Sequence, residues 1–171
     1  MAVSINGLKR TVMCGEVTEE YIGKRITVMG WVQRKRNLGS LVFIDLRDIK
    51  GILQAVFGEE INKEAFQVAD TLKSEYCVAI TGEVVRRESP NNAMATGQVE
   101  LKGEEVVVFS ESETPPIYIK ENLDAAESIR LKYRYLDLRR PDIQKLFVIR
   151  HKTTSIIRNY LNEHNFLEME T

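Results

Sequence analysis

Residues 41–48 read Leu41-Val42-Phe43-Ile44-Asp45-Leu46-Arg47-Asp48, and their alternation decides the fold. Successive side chains of a strand point to opposite faces. Val42, Ile44 and Leu46 therefore share one apolar face, while Leu41, Phe43, Asp45 and Arg47 share the other. The first face suits a core. The second sets an aromatic ring among charges.

On the N-terminal side, Leu38-Gly39-Ser40 is a turn signal, and before it Ile26, Val28, Gly30 and Val32 alternate as an earlier strand. That strand is expected to end in the polar run Arg34-Lys35-Arg36-Asn37, with Arg34, Lys35 and Arg36 at the strand's end and in the loop beside it. On the C-terminal side, Lys50-Gly51 makes the next turn and Ile52 to Phe57 a third strand. From Glu59 to Leu72 the spacing becomes helical, with Ile61, Ala65, Val68, Ala69 and Leu72 on one side. A fourth strand is expected from Tyr76 to about Arg87, a loop from Glu88 to Gly97, and a fifth strand from Val99 to about Phe109. Three strands, one helix and two strands make a mainly β architecture, the five-stranded Greek-key barrel of the OB-fold, with its helix between strands three and four. Such barrels bind nucleic acid or sugar across strands two and three, flanked by the loops joining strands one–two and four–five.

Beyond the barrel, Glu111 to Asp124 is acidic and holds Thr114-Pro115-Pro116, the composition of a linker. Ala125 to about Leu138 reads as helical and stops at Arg139-Arg140-Pro141, whose proline suits the first turn of a new helix. Ile143, Leu146, Ile149, Thr153, Ile156 and Tyr160 then recur every three or four residues, a long amphipathic helix to about His164. Phe166 to Met169 is expected to begin a strand. The long stripe has little left in the chain to pack against, so it is expected to be partly exposed. The domain reading is 1–110 for the barrel, 111–140 for a linker or hinge, and 141–171 for the start of a second domain, the chain being a fragment of something longer.

Composition narrows the function. Hydrophobic residues at 43% and charged residues at 29% are those of a globular protein with material for a core. No stretch reaches the ~18–20 apolar residues of a membrane span, and Met1 to Arg10 lacks the apolar run of a secretory signal, so the cytoplasm is the expected compartment. Cys14 and Cys77 stand apart, outside any metal-binding spacing, and read as two buried thiols. The net charge of −1 does not point to a polyanion partner, but its distribution does. Tyr21 to Ile44 carries Lys24, Arg25, Arg34, Lys35 and Arg36 without an acid, Glu100 to Glu127 is mainly acidic, and Ile129 to Lys152 is basic again. Such patches either attract phosphates or are simply solvated surface.

The strand faces locate a site. Phe43, on the polar face, is either a platform on which an unpaired base stacks or an aromatic covering the barrel rim; the barrel layout favours stacking. Gln54 is out of register with Leu53, Ala55 and Phe57, so it shares the face of Phe43. Its amide can donate and accept at one base edge. Arg34, Lys35 and Arg36 flank that face on one side, as phosphate contacts or as a fork on a guanine edge, and Arg86, Arg87, Asn91 and Asn92 flank it on the other. Glu100 opens strand five and can accept from a base amine. For catalysis the residues offer nothing: no phosphate-binding glycine loop, no metal spacing, no nucleophile–base arrangement. His151 and His164 read as helix-surface residues, and Asp45, Asp48 and Asp137 as turn or ion-pair residues.

Several strings are more specific than composition. Gly30-Trp31-Val32-Gln33-Arg34-Lys35-Arg36, Phe43-Ile44-Asp45-Leu46-Arg47-Asp48 and Gly51-Ile52-Leu53-Gln54 resemble the anticodon-binding domain of bacterial aspartyl-tRNA synthetases. Met94 to Glu100 resembles that family's approach to its last barrel strand, and Arg130 to Pro141 its hinge. Phe166-Leu167-Glu168-Met169-Glu170-Thr171 resembles the end of class II motif 1, a dimer-interface element. The lysine and asparagine enzymes share the barrel and a similar hinge, but Leu136-Asp137-Leu138-Arg139-Arg140-Pro141 and the Arg-Lys-Arg run fit the aspartate family best.

The resemblance implies that Phe43 stacks on the central base of a GUC anticodon and Gln54 contacts its edge. Arg36 and Glu100 would recognise the first base, and Arg34 the neighbouring backbone. It implies a homodimeric parent that uses ATP and Mg2+ to make aspartyl-adenylate and charge tRNA-Asp, with the ATP and aspartate motifs outside this chain. The chain itself is then expected to bind tRNA, to be inactive, and to hold no cofactor. Two other readings compete: a stand-alone barrel that binds single strands without sequence preference, and a protein-interaction module using the acidic linker and amphipathic helix.

Overall fold

A computed structural model describes residues 7–170 of the chain. It contains two compact units, Met1–Pro115 and Pro116–Thr171. Of the readings above, those on residues 1–6 and on Thr171 lie outside the described residues.

The first unit is a closed five-stranded barrel. Its strands are β1 (Arg25–Asn37), β2 (Leu41–Arg47), β3 (Ile52–Gly58), β4 (Cys77–Arg86) and β5 (Val99–Ser110), joined in the order β1-β2-β3-β5-β4, with helix α1 (Lys63–Thr71) between β3 and β4. All pairings are antiparallel except β3 with β5, where Ala55 lies opposite Leu101 and Val56 opposite Lys102. This is the expected OB-fold. The alternation in β2 does what its sequence requires: Val42, Ile44 and Leu46 are fully buried, beside Val28, Val32, Leu53, Phe57, Val78, Ile80 and Leu101. Gly103 allows this packing, because a Cβ there would sit 2.2 Å from the Phe57 ring.

The turns follow their residues. Gly39 adopts φ +76°, and its N–H donates to Asn37 Oδ1 at 3.0 Å. At the next turn Asp48 accepts from the N–H groups of Lys50 and Gly51, and a third time from Cys14 at 2.6 Å, which ties the N-terminal segment to the barrel. Asp48 is thus the turn residue expected of it. Cys14 is buried, as expected, with its thiol pushed up mainly by burial, whereas Cys77 is only partly buried.

Three details differ from the sequence reading. First, Arg34 to Asn37 lie entirely within β1, with none of them left to a loop. A shift in register between Val32 and Arg34 lets β1 continue, with Arg34 opposite Asp45, Arg36 opposite Phe43 and Asn37 opposite Val42. A bulge of this kind bends a strand around a barrel without ending it. Second, α1 begins later than Glu59, because Asn62 caps it by accepting from the Ala65 N–H at 2.9 Å. Ala65, Ala69 and Leu72 still form its buried side. Third, Ile117 and Ile119, in the stretch read as a linker, are 3% and 7% exposed and pack with Leu136.

In the second unit the helix expected over 125–138 is broken into α2 (Glu127–Lys132) and α3 (Arg134–Asp137). Tyr133, at φ −108° and ψ 45°, leaves the helical region and packs against the Ile117–Ile119–Leu136 cluster. Asp137 is fully buried and accepts from Arg130, Arg134 and Arg140 at 2.9–3.3 Å, an ion-pair hub as its sequence suggested. Helix α4 (Pro141–Glu163) has proline in its first turn and no buried residue; Leu146, Ile149, Ile156 and Tyr160 are all exposed. The strand expected at 166–169 does not form. No sheet pairing involves these residues, and Glu168 is instead clasped by Arg158 through Nε at 2.8 Å and Nη2 at 2.9 Å. A strand needs a neighbour to complete its ladder. His151 and His164 lie exposed on and just beyond α4.

Candidate nucleic-acid interface

The outer face of β2 and β3 is set by register. Phe43 lies opposite Val56, and Asp45 opposite Gln54, so all four project from the barrel on the same side. The bulged end of β1 brings Arg36 beside Phe43, with its guanidinium 5.6 Å from the ring centre. On the far side, the parallel pairing of β3 with β5 places Glu100 next to Gln54. Arg87, just past β4, reaches over from the opposite rim.

These side chains bind one another. Gln54 Oε1 accepts from Arg36 Nη2 at 2.8 Å and from Arg87 Nη2 at 2.9 Å. Gln54 Nε2 donates to Glu100 Oε2 at 2.6 Å, and Arg36 Nη2 also donates to Asp45 Oδ1 at 3.1 Å. Gln54 is 4% exposed, so it is a buried hub and not the exposed glutamine its strand position suggested. Arg36 Nε and Arg87 Nη1 are buried donors without a hydrogen-bond partner. Burying such a donor unsatisfied costs free energy unless a ligand supplies an acceptor. Glu100 is held above the usual carboxylate range, chiefly by burial and opposed by its bond to Gln54 and by the charge of Arg87.

The network floors a cleft of about 540 Å³, walled by Phe43 and Val56, Leu38 and Leu41, and the segment Val85 to Ser89. It combines an aromatic face, charged donors and carboxylates, the chemistry that holds an unstacked base and its phosphate.

Arg36, Phe43, Gln54, Arg86, Arg87 and Glu100 all line this cleft. The remaining residues singled out in the sequence sit elsewhere. Arg34 is exposed on the same face but beyond the cleft. Lys35 turns to the end of α1, where it bonds to Asp70. Arg86, which does line the cleft, pairs with Glu19 at 2.8 Å. Asn91 and Asn92 fold into the β4–β5 loop, accepting from Ala93 N and Gln98 Nε2. Glu88 and Lys102 also line the cleft and went unnoticed in the sequence. Lys102 was open to inference, because it lies two residues beyond Glu100 on the same strand and so on the same face. Among the described residues, no group of three or more His, Cys, Asp or Glu is placed to hold a metal ion, and no helix is long and apolar enough to cross a membrane.

Comparison with known proteins agrees with this geometry. Residues 26–109 match the family of OB-fold nucleic acid binding domains, and residues 126–171 match the class II tRNA synthetases (D, K and N). Over all 171 residues the chain is 72% identical to the aspartate–tRNA ligase of Clostridium acetobutylicum and 69% identical to that of Clostridium botulinum. It spans 29% of the length of each. Among solved structures, aspartyl tRNA synthetase from Entamoeba histolytica is 26% identical with a TM-score of 0.86, over 96% of this chain and 39% of that one. Asparaginyl-tRNA synthetase from Pyrococcus horikoshii, complexed with asparaginyl-adenylate, is 28% identical with a TM-score of 0.81, over 95% of this chain and 36% of that one. With an OB barrel followed by a class II segment, and with this identity along its whole length, the chain matches the OB-fold domain and the start of the class II domain of aspartate–tRNA ligases.

Proposed function

We propose that the Phe43–Gln54 face reads the GUC anticodon loop of tRNA-Asp. The observation that carries this reading is the cleft itself: a half-buried aromatic beside a polar hub in which Arg36 Nε and Arg87 Nη1 remain buried and unpartnered. In this reading Phe43 stacks on the central base and Gln54 meets that base's edge. Arg36 and Glu100 hold the first base. Arg34 contacts the adjacent backbone, with Lys35, Arg86, Arg87 and Asn91 offering further contacts around the loop. Residues 1–110 are then the anticodon reader, 111–140 the hinge, and 141–171 the opening of the catalytic domain.

The parent protein, in this proposal, is a cytoplasmic homodimer that activates aspartate with ATP and Mg2+ and transfers it to the tRNA. Among the described residues, no group of three or more His, Cys, Asp or Glu is placed to hold a metal ion. No catalytic step is assigned to them.

The test is direct binding of the 171-residue chain to anticodon stem-loops carrying GUC or GAC at fixed moderate salt. Preference for GUC, lost in Phe43→Ala and Gln54→Ala, is the expected result. Equal binding to both loops would identify a barrel that takes single strands without sequence preference.

A further inference from the structure

We propose that Arg87 and Glu100 lock the amide of Gln54 in one orientation, and that this lock makes the cleft select bases with a keto oxygen beside an imino N–H. Those bases are uracil and guanine; cytosine and adenine carry an amino group beside a bare ring nitrogen. The inference rests on the anticodon reading and adds to it the origin of base choice.

The argument is one of donors and acceptors. A guanidinium can only donate, and an ionised carboxylate can only accept. Gln54 Oε1 accepts from Arg36 at 2.8 Å and from Arg87 at 2.9 Å, which occupies both of its lone pairs. Gln54 Nε2 donates to Glu100 Oε2 at 2.6 Å. Turning the amide over would set its NH2 against two guanidinium donors and its carbonyl against a carboxylate. All three contacts would become repulsive, in a spot where Gln54 is only 4% exposed.

Glutamine is ordinarily ambivalent at a base edge, since either end can face the ligand. Here only one hydrogen of Nε2 is left to offer. Beside it stands Glu100, whose bond to Gln54 runs through Oε2; its Oε1, with two lone pairs, can accept from the central base as well as from the first base. A donor next to an acceptor is the complement of a keto–imino edge and mismatches an amino edge at both positions. Arg36 alone would not lock the amide, because it is shared with Asp45 and leaves one lone pair of Oε1 free. Arg87 is therefore a positioning residue, acting through Gln54.

The test compares stem-loops carrying GUC and GCC, which differ only by exchange of a keto–imino for an amino base. Binding is measured for the 171-residue chain and for Arg87→Met, Arg87→Lys and Glu100→Gln, with folding checked by circular dichroism. The unaltered chain is expected to prefer GUC. Arg87→Met and Glu100→Gln should each shrink that preference about ten-fold, the effect of one mismatched buried hydrogen-bonding group, while Arg87→Lys retains most of it. If Arg87→Met weakens both loops equally and keeps the ratio, Arg87 is only a phosphate contact and the lock is wrong. If the unaltered chain shows no preference, the anticodon reading falls and the lock with it.

Discussion

Arg47 and Glu75 meet in a two-pronged ion pair, Nη1 to Oε1 at 3.0 Å and Nη2 to Oε2 at 2.8 Å, with side chains 15% and 9% exposed. Arg47 occupies the same face of β2 as Phe43 and Asp45, yet it is committed to the protein, and the cleft ends before it. The pair also steadies Glu75, whose φ of 65° is uncommon for a residue with a side chain. The polar face of β2 is thus divided into a half that reads and a half that braces.

Replacing Arg47 with methionine should therefore lower stability and leave recognition intact. The loss should be about 2–3 kcal/mol, since Glu75 would remain largely buried without its partner. Urea unfolding of both proteins measures it, and stem-loop affinity below the transition should be unchanged. A marked loss of affinity in the folded variant would move Arg47 into the binding surface.

Phe43→Ala should do the reverse. Stacking on an aromatic side chain is worth about 1–3 kcal/mol per base, so affinity for a single-stranded loop should fall about five- to a hundred-fold. Phe43 is only partly buried, and the melting temperature should change little. Fluorescence anisotropy and thermal melting separate the two effects; a large drop in melting temperature would make Phe43 a rim-covering residue.

Arg34 should show itself in salt dependence. It is exposed on the recognition face beyond the cleft, placed to neutralise a phosphate without reading a base. Log affinity plotted against log salt should lose about 0.7 of slope in Arg34→Ala, the contribution of one single-strand phosphate, with no change in preference among loops. An unaltered slope would show that Arg34 is bystander surface.

Asp137 predicts an acid transition in the second unit. Its carboxyl is held below the ordinary value of 3.8, first by the hydrogen bond from Arg130 and then by that from Arg140, against the opposing effect of burial. A depressed folded pKa means stabilisation that is present above the unfolded value and lost as pH falls through the folded one. Amide exchange in α2 and α3 should thus be slow at neutral pH and accelerate below about pH 4. Asp137→Asn should exchange fast throughout and flatten this acid limb. Protection unchanged in the asparagine variant would assign the order of these helices to the Ile117–Ile119–Leu136 cluster alone.

Much of the fold was legible because it rests on short-range pattern. The alternation from Leu41 to Asp48, the Gly39 and Gly51 turns, and proline at the start of α4 are properties of a few neighbouring residues, and local sterics and burial decide them. The same parity placed Phe43 and Gln54 on one face before any contact was known. What the pattern did not contain was how far β1 runs through Arg34 to Asn37, since polar residues at a strand's end look like a loop until their pairing partner is present.

The tertiary structure alone decided who holds whom. Gln54 meets Arg87 across 33 residues and Glu100 across 46, because barrel closure sets β5 parallel to β3 and swings the end of β4 over the same rim. Likewise, Phe166 to Met169 has strand-forming residues and no strand, because a ladder of hydrogen bonds is a property of two segments, and a single segment cannot specify its neighbour. Sequence determined the faces and their order. Closure of the barrel turned scattered polar residues into a site, because hydrogen bonds join groups by distance in space and are indifferent to distance along the chain.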